Sequence, residues 1–256
     1  MIPNSVRLKI DWAEKHLDAL NAEIDRWTSG PPNPRRLKRI RDGVPSTDFR
    51  AQFRFDPPIP DTLPMIIGDA VHNLRSALDH LACALAELEI PTDSETGHSG
   101  IEFPIYISEG KFDRSGAAKI KKLATAAQDE IKSLQPYNAG DDARFQLLWA
   151  LHQLDIIDKH RRISVMGGRY SLPATFRPQA RQGNEVIFEG RIYIPFNDGD
   201  IIHILNVDPE FKPDIDGTIA IRFGDGPNEF IEYGTLRLIH NEVANNVIPR
   251  FAGFFS

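Results

Sequence analysis

The sequence predicts an α+β fold: a helical bundle of about four long helices, then a small antiparallel β-sheet and a C-terminal helix. Three observations predict it. Apolar residues recur every three or four places over residues 4–27 and 62–88, the period of a helix with one buried face. Beyond Arg162 the pattern becomes short β-branched and aromatic runs separated by Gly, Pro and Asp turns, as in an antiparallel meander. The 256 residues are 41% hydrophobic and 26% charged, which is ordinary globular usage at a length that buries a sizeable core. The expected division is 1–162, a helical bundle with one or two short strands, and 163–256, a meander with its closing helix packed onto the bundle.

In the first helix Val6, Ile10, Ala13, Leu17, Leu20, Ile24 and Trp27 form one stripe. Ser29-Gly30-Pro31-Pro32 ends it, because proline lacks the amide that a helix needs. A basic loop follows, with Arg35, Arg36, Lys38, Arg39 and Arg41. Phe49, Ala51, Phe53 and Phe55 alternate with polar residues, predicting a half-buried strand that Pro57, Pro58 and Pro60 terminate. The longest helix runs from Thr62, capped by Asp61 or Thr62, to Leu88; Pro64 is tolerated in its first turn. Its stripe is Ile67, Val71, Leu74, Leu78, Leu81, Leu85 and Leu88. Glu102–Ile107 reads as a short strand broken by Pro104. Helices are expected over 116–134 and 142–160, divided by a turn at Pro136–Gly140. Strands are expected at Ile163–Met166, Glu185–Phe196, Asp200–Val207 and Thr218–Phe223. A last helix should start at Gly226-Pro227 and stop near Pro249. The aromatic terminal segment Phe251–Phe255 is expected to tuck into the core or to dock on another subunit.

Composition excludes several classes of function. Cys83 is the single cysteine, so there is no intrachain disulfide and no thiolate cluster for a metal. No window approaches 18 consecutive apolar residues, and the N-terminus lacks the apolar run of a secretory signal, so a cytoplasmic chain without a membrane span is expected. The formal charge of −6 gives no global attraction to nucleic acid, and residues 198–229 carry eight acidic and two basic side chains. Phosphate contact would fall to the Arg35–Arg41 cluster. There is no Gly-x-x-x-x-Gly-Lys-Ser/Thr loop and no Gly-x-Ser-x-Gly turn, and no cofactor is expected.

The chemistry concentrates on two helices. The first carries Asp69, His72, Asn73, Arg75, Ser76, Asp79 and His80; the second carries His152, Asp155, Asp158 and His160. Each has a second His eight places after the first, about 12 Å along the axis, so one metal ion cannot take both histidines of either helix. At 100° per residue Asp69, His72, Ser76 and Asp79 lie opposite the Leu stripe, with Arg75 and His80 on its two flanks. Asp155 and Asp158 fall inside the apolar stripe of Leu147, Leu148, Leu151 and Leu154. Carboxylates on a core face must be paired, protonated or bound to a cation. The expectation is a buried polar cluster in which Arg75, His72 and His80 partner the two aspartates.

Arg75-x4-His80, with polar Ser76 after the Arg, resembles the Arg-x4–6-His motif of the HEPN superfamily. The wider segments Gly68-Asp69…His72-Asn73-Leu74-Arg75-Ser76-Ala77-Leu78-Asp79-His80 and Asp158-Lys159-His160-Arg161 are similar to a family of uncharacterised bacterial proteins. The HEPN resemblance implies a metal-independent endoribonuclease of toxin or phage-defence type, acting as a homodimer on RNA. His80 would then be the general base or acid and Arg75 the phosphate-stabilising cation, with no metal. Two other readings stand beside it. One is a non-catalytic interaction or structural protein with a buried His/Asp/Arg network. The other is a metal-dependent helical-bundle hydrolase that draws ligands from His72, His80, His152, Asp155, Asp158 and His160.

Overall fold

A computed structural model describes residues 1–29, 35–44, 49–89, 99–167, 169–172, 192–195, 198–204, 214–216, 219–222 and 230–256. The fold is α+β and dominated by helices. The helices are α1 (Asn4–Ser29), α2 (Thr62–Glu87), α3 (Glu109–Lys111), α4 (Ala117–Ile120), α5 (Thr125–Ser133), α6 (Leu147–His160) and α7 (Gly234–Asn241). A π-helical turn, Phe112–Gly116, joins α3 to α4, and 3-10 turns over Pro136–Phe145 lead into α6. After α7 the chain stays helical through a π segment, Glu242–Val247, and 3-10 turns, Ile248–Phe255. The strands are β1 (Arg35–Arg39), β2 (Phe49–Phe55), β3 (Ser164–Met166), β4 (Arg169–Leu172), β5 (Ile192–Pro195), β6 (Ile201–Ile204), β7 (Asp214–Asp216), β8 (Ala220–Arg222) and β9 (Phe230–Glu232).

The chain forms two compact units that interleave in sequence. One comprises Met1–Leu20, Pro64–Ile163 and Gly234–Ser256; the other comprises Asn21–Leu63 and Ser164–Tyr233. The helical unit is held by apolar stripes at helical spacing. Val6, Ala13, Leu17 and Leu20 of α1 are buried, as are Ile67, Val71, Leu74, Leu78, Leu81 and Leu85 of α2. Of the aromatic terminal segment, Phe251 is fully buried and so enters the core of this unit, whereas Phe254 and Phe255 are half-buried.

The segment expected as a strand at Glu102–Ile107 belongs to the helical unit and is not one. Ile101, Phe103 and Ile105 do alternate into the core. Their backbone, however, pairs with side chains rather than with a neighbouring strand. The Phe103 amide donates to Asp79 Oδ1 (2.9 Å), and its carbonyl accepts from Arg75 Nη2 (2.6 Å). Gln135, buried on the next segment, accepts from the Tyr106 amide (3.0 Å) and donates to the Pro104 carbonyl (2.7 Å). Buried backbone groups need partners, and here side chains supply them. The helix expected over 116–134 is interrupted at 121–124, and that expected over 142–160 begins at Leu147. In the turn between them Gly140 takes the positive φ (59°) that a side chain disfavours.

The strand unit differs from a single meander. Its described strands form three antiparallel sheets of three strands each, ordered β1-β2-β6, β3-β8-β9 and β5-β4-β7. The basic stretch expected as a loop is strand β1 over Arg35–Arg39, paired with β2 in the register Arg39↔Ala51. In β2 the predicted alternation holds, with Phe49, Ala51, Phe53 and Phe55 buried. Trp27 donates its indole N–H to the Pro57 carbonyl (3.1 Å) and sets its ring edge-on to Phe55. The stretch expected to open the last helix includes Phe230–Glu232, which is instead β9 paired with β8; the helix starts at Gly234. The remainder of that stretch and most of Glu185–Phe196 lie outside the described residues.

Candidate polar seam between two helices

The site is built where α2 and α6 meet inside the helical unit. A Cβ placed on Gly68 would stand 2.3 Å from Asp158 Oδ1, so Gly68 is what lets the Asp158 side chain lie against α2. One turn further along α2, His72 Nδ1 lies 3.9 Å from Asp155 Oδ1. The contacts step up one helix as they step down the other, so α2 and α6 run antiparallel.

Asp155 is the buried carboxylate predicted on the core face, at 3% exposure. Its Oδ2 accepts from Lys159 Nζ (2.7 Å), four residues on along the same helix. Its Oδ1 is buried and has no hydrogen-bond partner, and it lies 3.9 Å from His72 Nδ1. Such a group costs about 1–3 kcal/mol unless something satisfies it. The other nitrogen of that ring, Nε2, lies 3.4 Å from Ser76 Oγ, one turn along α2. The His72 side chain is itself 55% exposed. Carboxylate, imidazole and hydroxyl therefore stand in sequence, Nδ1 toward Asp155 and Nε2 toward Ser76.

Asp158 departs from expectation: it is exposed rather than buried. Partial desolvation raises its pKa, and the negative charges of Asp155 and Asp69 add to this. Its Asp-to-Arg75 pairing is also absent. The Arg75 guanidinium, 6% exposed, donates through Nη2 to Asp79 Oδ1 (2.7 Å) and to the Phe103 carbonyl. Asp79 is a local i,i+4 partner on α2, and it outcompetes carboxylates on another helix because the helix itself fixes its position. Burial raises the Asp79 pKa, opposed by the Arg75 charge and the Phe103 amide. Arg75 Nη1 is buried without a partner, as is His152 Nδ1. Burial first, then the Arg75 charge, lowers His152 to about 4, while Asp155 pulls it the other way.

The remaining expected residues scatter. His80 is half-buried and His160 exposed. Arg75 and His80 are five residues apart on α2, about 140° around the axis, so their side chains leave on different faces. Asn73 serves locally, donating to the Asp69 carbonyl (2.8 Å) and accepting from Lys9 Nζ (3.3 Å). Lys38, Arg39 and Arg41 are exposed in the other unit, where Arg39 stacks over the Phe49 ring. Nothing is described of the Arg35 and Arg36 side chains beyond their backbone places in β1. Among the described residues no group of three or more His, Cys, Asp or Glu comes together to hold a metal ion, and no helix is long and apolar enough to cross a membrane. Lys159 and the Phe103 backbone were not anticipated; the Asp155-x3-Lys159 spacing is the signal that points to the first.

No family model, curated protein or solved structure matches this chain, so the Arg-x4-His resemblance rests on its own residues.

Proposed function

We propose that the chain is a hydrolase whose proton-transfer group is His72, positioned by Asp155 on the seam between α2 and α6. One observation carries this reading: Asp155, 3% exposed, presents an oxygen with no hydrogen-bond partner to an imidazole that is itself exposed to solvent. A buried carboxylate behind an exposed imidazole is the arrangement that orients the ring and stabilises its cation during proton transfer. The 3.9 Å separation is longer than a hydrogen bond, and free enzymes commonly tighten such contacts only with substrate bound.

The ribonuclease expected from the Arg-x4-His resemblance draws less support. It needs a guanidinium at the scissile phosphate, whereas Arg75 is buried and committed through Nη2 to Asp79 and Phe103. It also needs a surface that welcomes phosphate. Asp69, Asp155 and Asp158 surround His72, and each unscreened carboxylate within about 4 Å of a phosphate charge costs about 1–4 kcal/mol.

The test is hydrolysis of an uncharged ester, p-nitrophenyl acetate, and of a mixed-sequence RNA, in excess chelator, by wild type and His72→Asn. The expected result is ester hydrolysis that falls about 100-fold in His72→Asn, with RNA intact. RNA cleavage that His80→Ala abolishes and His72→Asn spares would restore the ribonuclease reading. Equal ester rates in wild type and His72→Asn would overturn the proposal and leave the seam a structural network.

A further inference from the structure

Resting on the hydrolase reading above, we infer that Ser76 is the nucleophile of this site and that it transfers acyl groups from small uncharged or cationic carboxylic esters. Ser76 and His72 are four residues apart on α2, and helix geometry alone brings such side chains near each other. That pair would carry nothing by itself. What goes beyond it is the third group, which comes from a different helix. Asp155 Oδ1 is buried, has no hydrogen-bond partner and lies against the ring nitrogen remote from the serine. The connectivity is carboxylate to Nδ1 and Nε2 to hydroxyl, the order in which an aspartate fixes the imidazole and the imidazole accepts a serine proton.

The second oxygen of Asp155 is held by Lys159, so the carboxylate is fixed in place while its first oxygen remains available to the imidazole. Solvent reaches the outer side, because the His72 side chain is 55% exposed and Ser76 is half-buried. Exposed carboxylates set the preferred substrate. Asp69 and Asp158 give the site a negative rim that disfavours anionic acyl donors and tolerates neutral or cationic ones. The Ser76 amide lies mid-helix and is already engaged, so charge on the carbonyl oxygen must be met by side chains. Lys159, half-exposed and tied to Asp155 Oδ2, is a cation of this cluster.

In the acylation step the Ser76 Oγ lone pair forms a bond to the ester carbonyl carbon while its proton passes to His72 Nε2. The tetrahedral adduct then expels the alcohol, which leaves with the proton from Nε2. Water repeats the sequence on the acyl-serine, releasing the carboxylic acid and restoring the hydroxyl. Ester and water are the only reactants. Asp155 touches no reacting atom and is a positioning residue.

The test uses the full chain and an uncharged alkyl fluorophosphonate, which a nucleophilic serine attacks with loss of fluoride. Intact-mass and peptide analysis should find one adduct, on Ser76. Ser76→Ala should lose it, and His72→Asn should slow labelling about 100-fold. Asp155→Asn should slow labelling at neutral pH, and Asp155→Glu should restore part of the rate, a recovery that lost packing would not give. Circular dichroism of each variant keeps misfolding apart from lost chemistry. A folded wild type without a Ser76 adduct, or labelling of equal rate in His72→Asn, overturns the inference. If p-nitrophenyl acetate hydrolysis depends on His72 while Ser76→Ala retains it, the serine role fails and the hydrolase reading stands. If neither residue matters, both fail.

Discussion

Acidification of His152 offers the sharpest test of the seam. Its ring is largely buried, Nδ1 has no partner, and its pKa is about 4 against the ordinary value near 6.5. Burial is the main cause and the Arg75 charge the second. A depressed pKa on a base means that the folded state binds fewer protons than the unfolded chain. The stabilisation is therefore fully present above pH 6.5 and is lost as pH falls toward 4. At 1.36 kcal/mol per pH unit the full interval corresponds to about 3 kcal/mol, of which about 2 kcal/mol is gone by pH 5. His152→Phe keeps a planar ring and removes the titration, and it deletes a buried nitrogen that has no partner. Urea unfolding of wild type and His152→Phe at pH 7.5, 6 and 5 measures the difference directly. The variant should match or exceed wild type at pH 7.5 and lose about 2 kcal/mol less between pH 7.5 and pH 5. Asp79 titrates in the opposite sense: its raised pKa favours the folded state below its ordinary value and withdraws that contribution as pH rises. It is common to both proteins and cancels in the comparison. Parallel stability curves for the two proteins would refute the burial of an uncharged imidazole beside Arg75.

Three other outcomes test the packing. Arg75→Met strands the Phe103 carbonyl and leaves Asp79 without its cation; urea unfolding should show a loss of about 2–4 kcal/mol, with α-helical circular dichroism kept at low temperature. Gly68→Ala puts a methyl group into the Asp158 carboxylate and should cost about 1 kcal/mol in wild type, yet stabilise by about 0.5–1 kcal/mol in an Asp158→Ala background, a sign change that thermal melts resolve. Phe251→Ala empties a fully buried ring site in the helical unit and should lower stability by about 3–5 kcal/mol by urea unfolding.

Legibility in the sequence followed the source of each element's order. α2 was expected over Thr62–Leu88 and runs Thr62–Glu87, because its apolar stripe and proline-marked start are local signals. α1 was expected to end near Trp27 and ends at Ser29. Asp155 was legible as a buried carboxylate because helical period alone places it among leucines. Asp158 fails the same arithmetic since it sits in the last turn of α6, where Lys159 and His160 after it are exposed as well. β1 was illegible: four of its five residues are Arg or Lys, and only its pairing with β2 makes it a strand. The Arg75–Asp79 pair was hidden in plain view at i,i+4, because the two core-face aspartates looked like the needier partners. Arrangement of the strands into three sheets depends on long-range pairing such as Phe49↔Ile204, which no local pattern encodes.

The side-chain clasp on Phe103 has a consequence for alignment. A strand in a ladder can slip by two residues and still present the same face. Residues 101–105 cannot, because Arg75 and Asp79 grip both polar groups of a single peptide position while Gln135 grips its neighbours. Sliding by two would bring Ile101 or Ile105 to the clasp and pull the Pro104 carbonyl away from Gln135. Lengthening or shortening the chain before Ile101 should therefore be absorbed upstream, leaving Phe103 seated in the same socket.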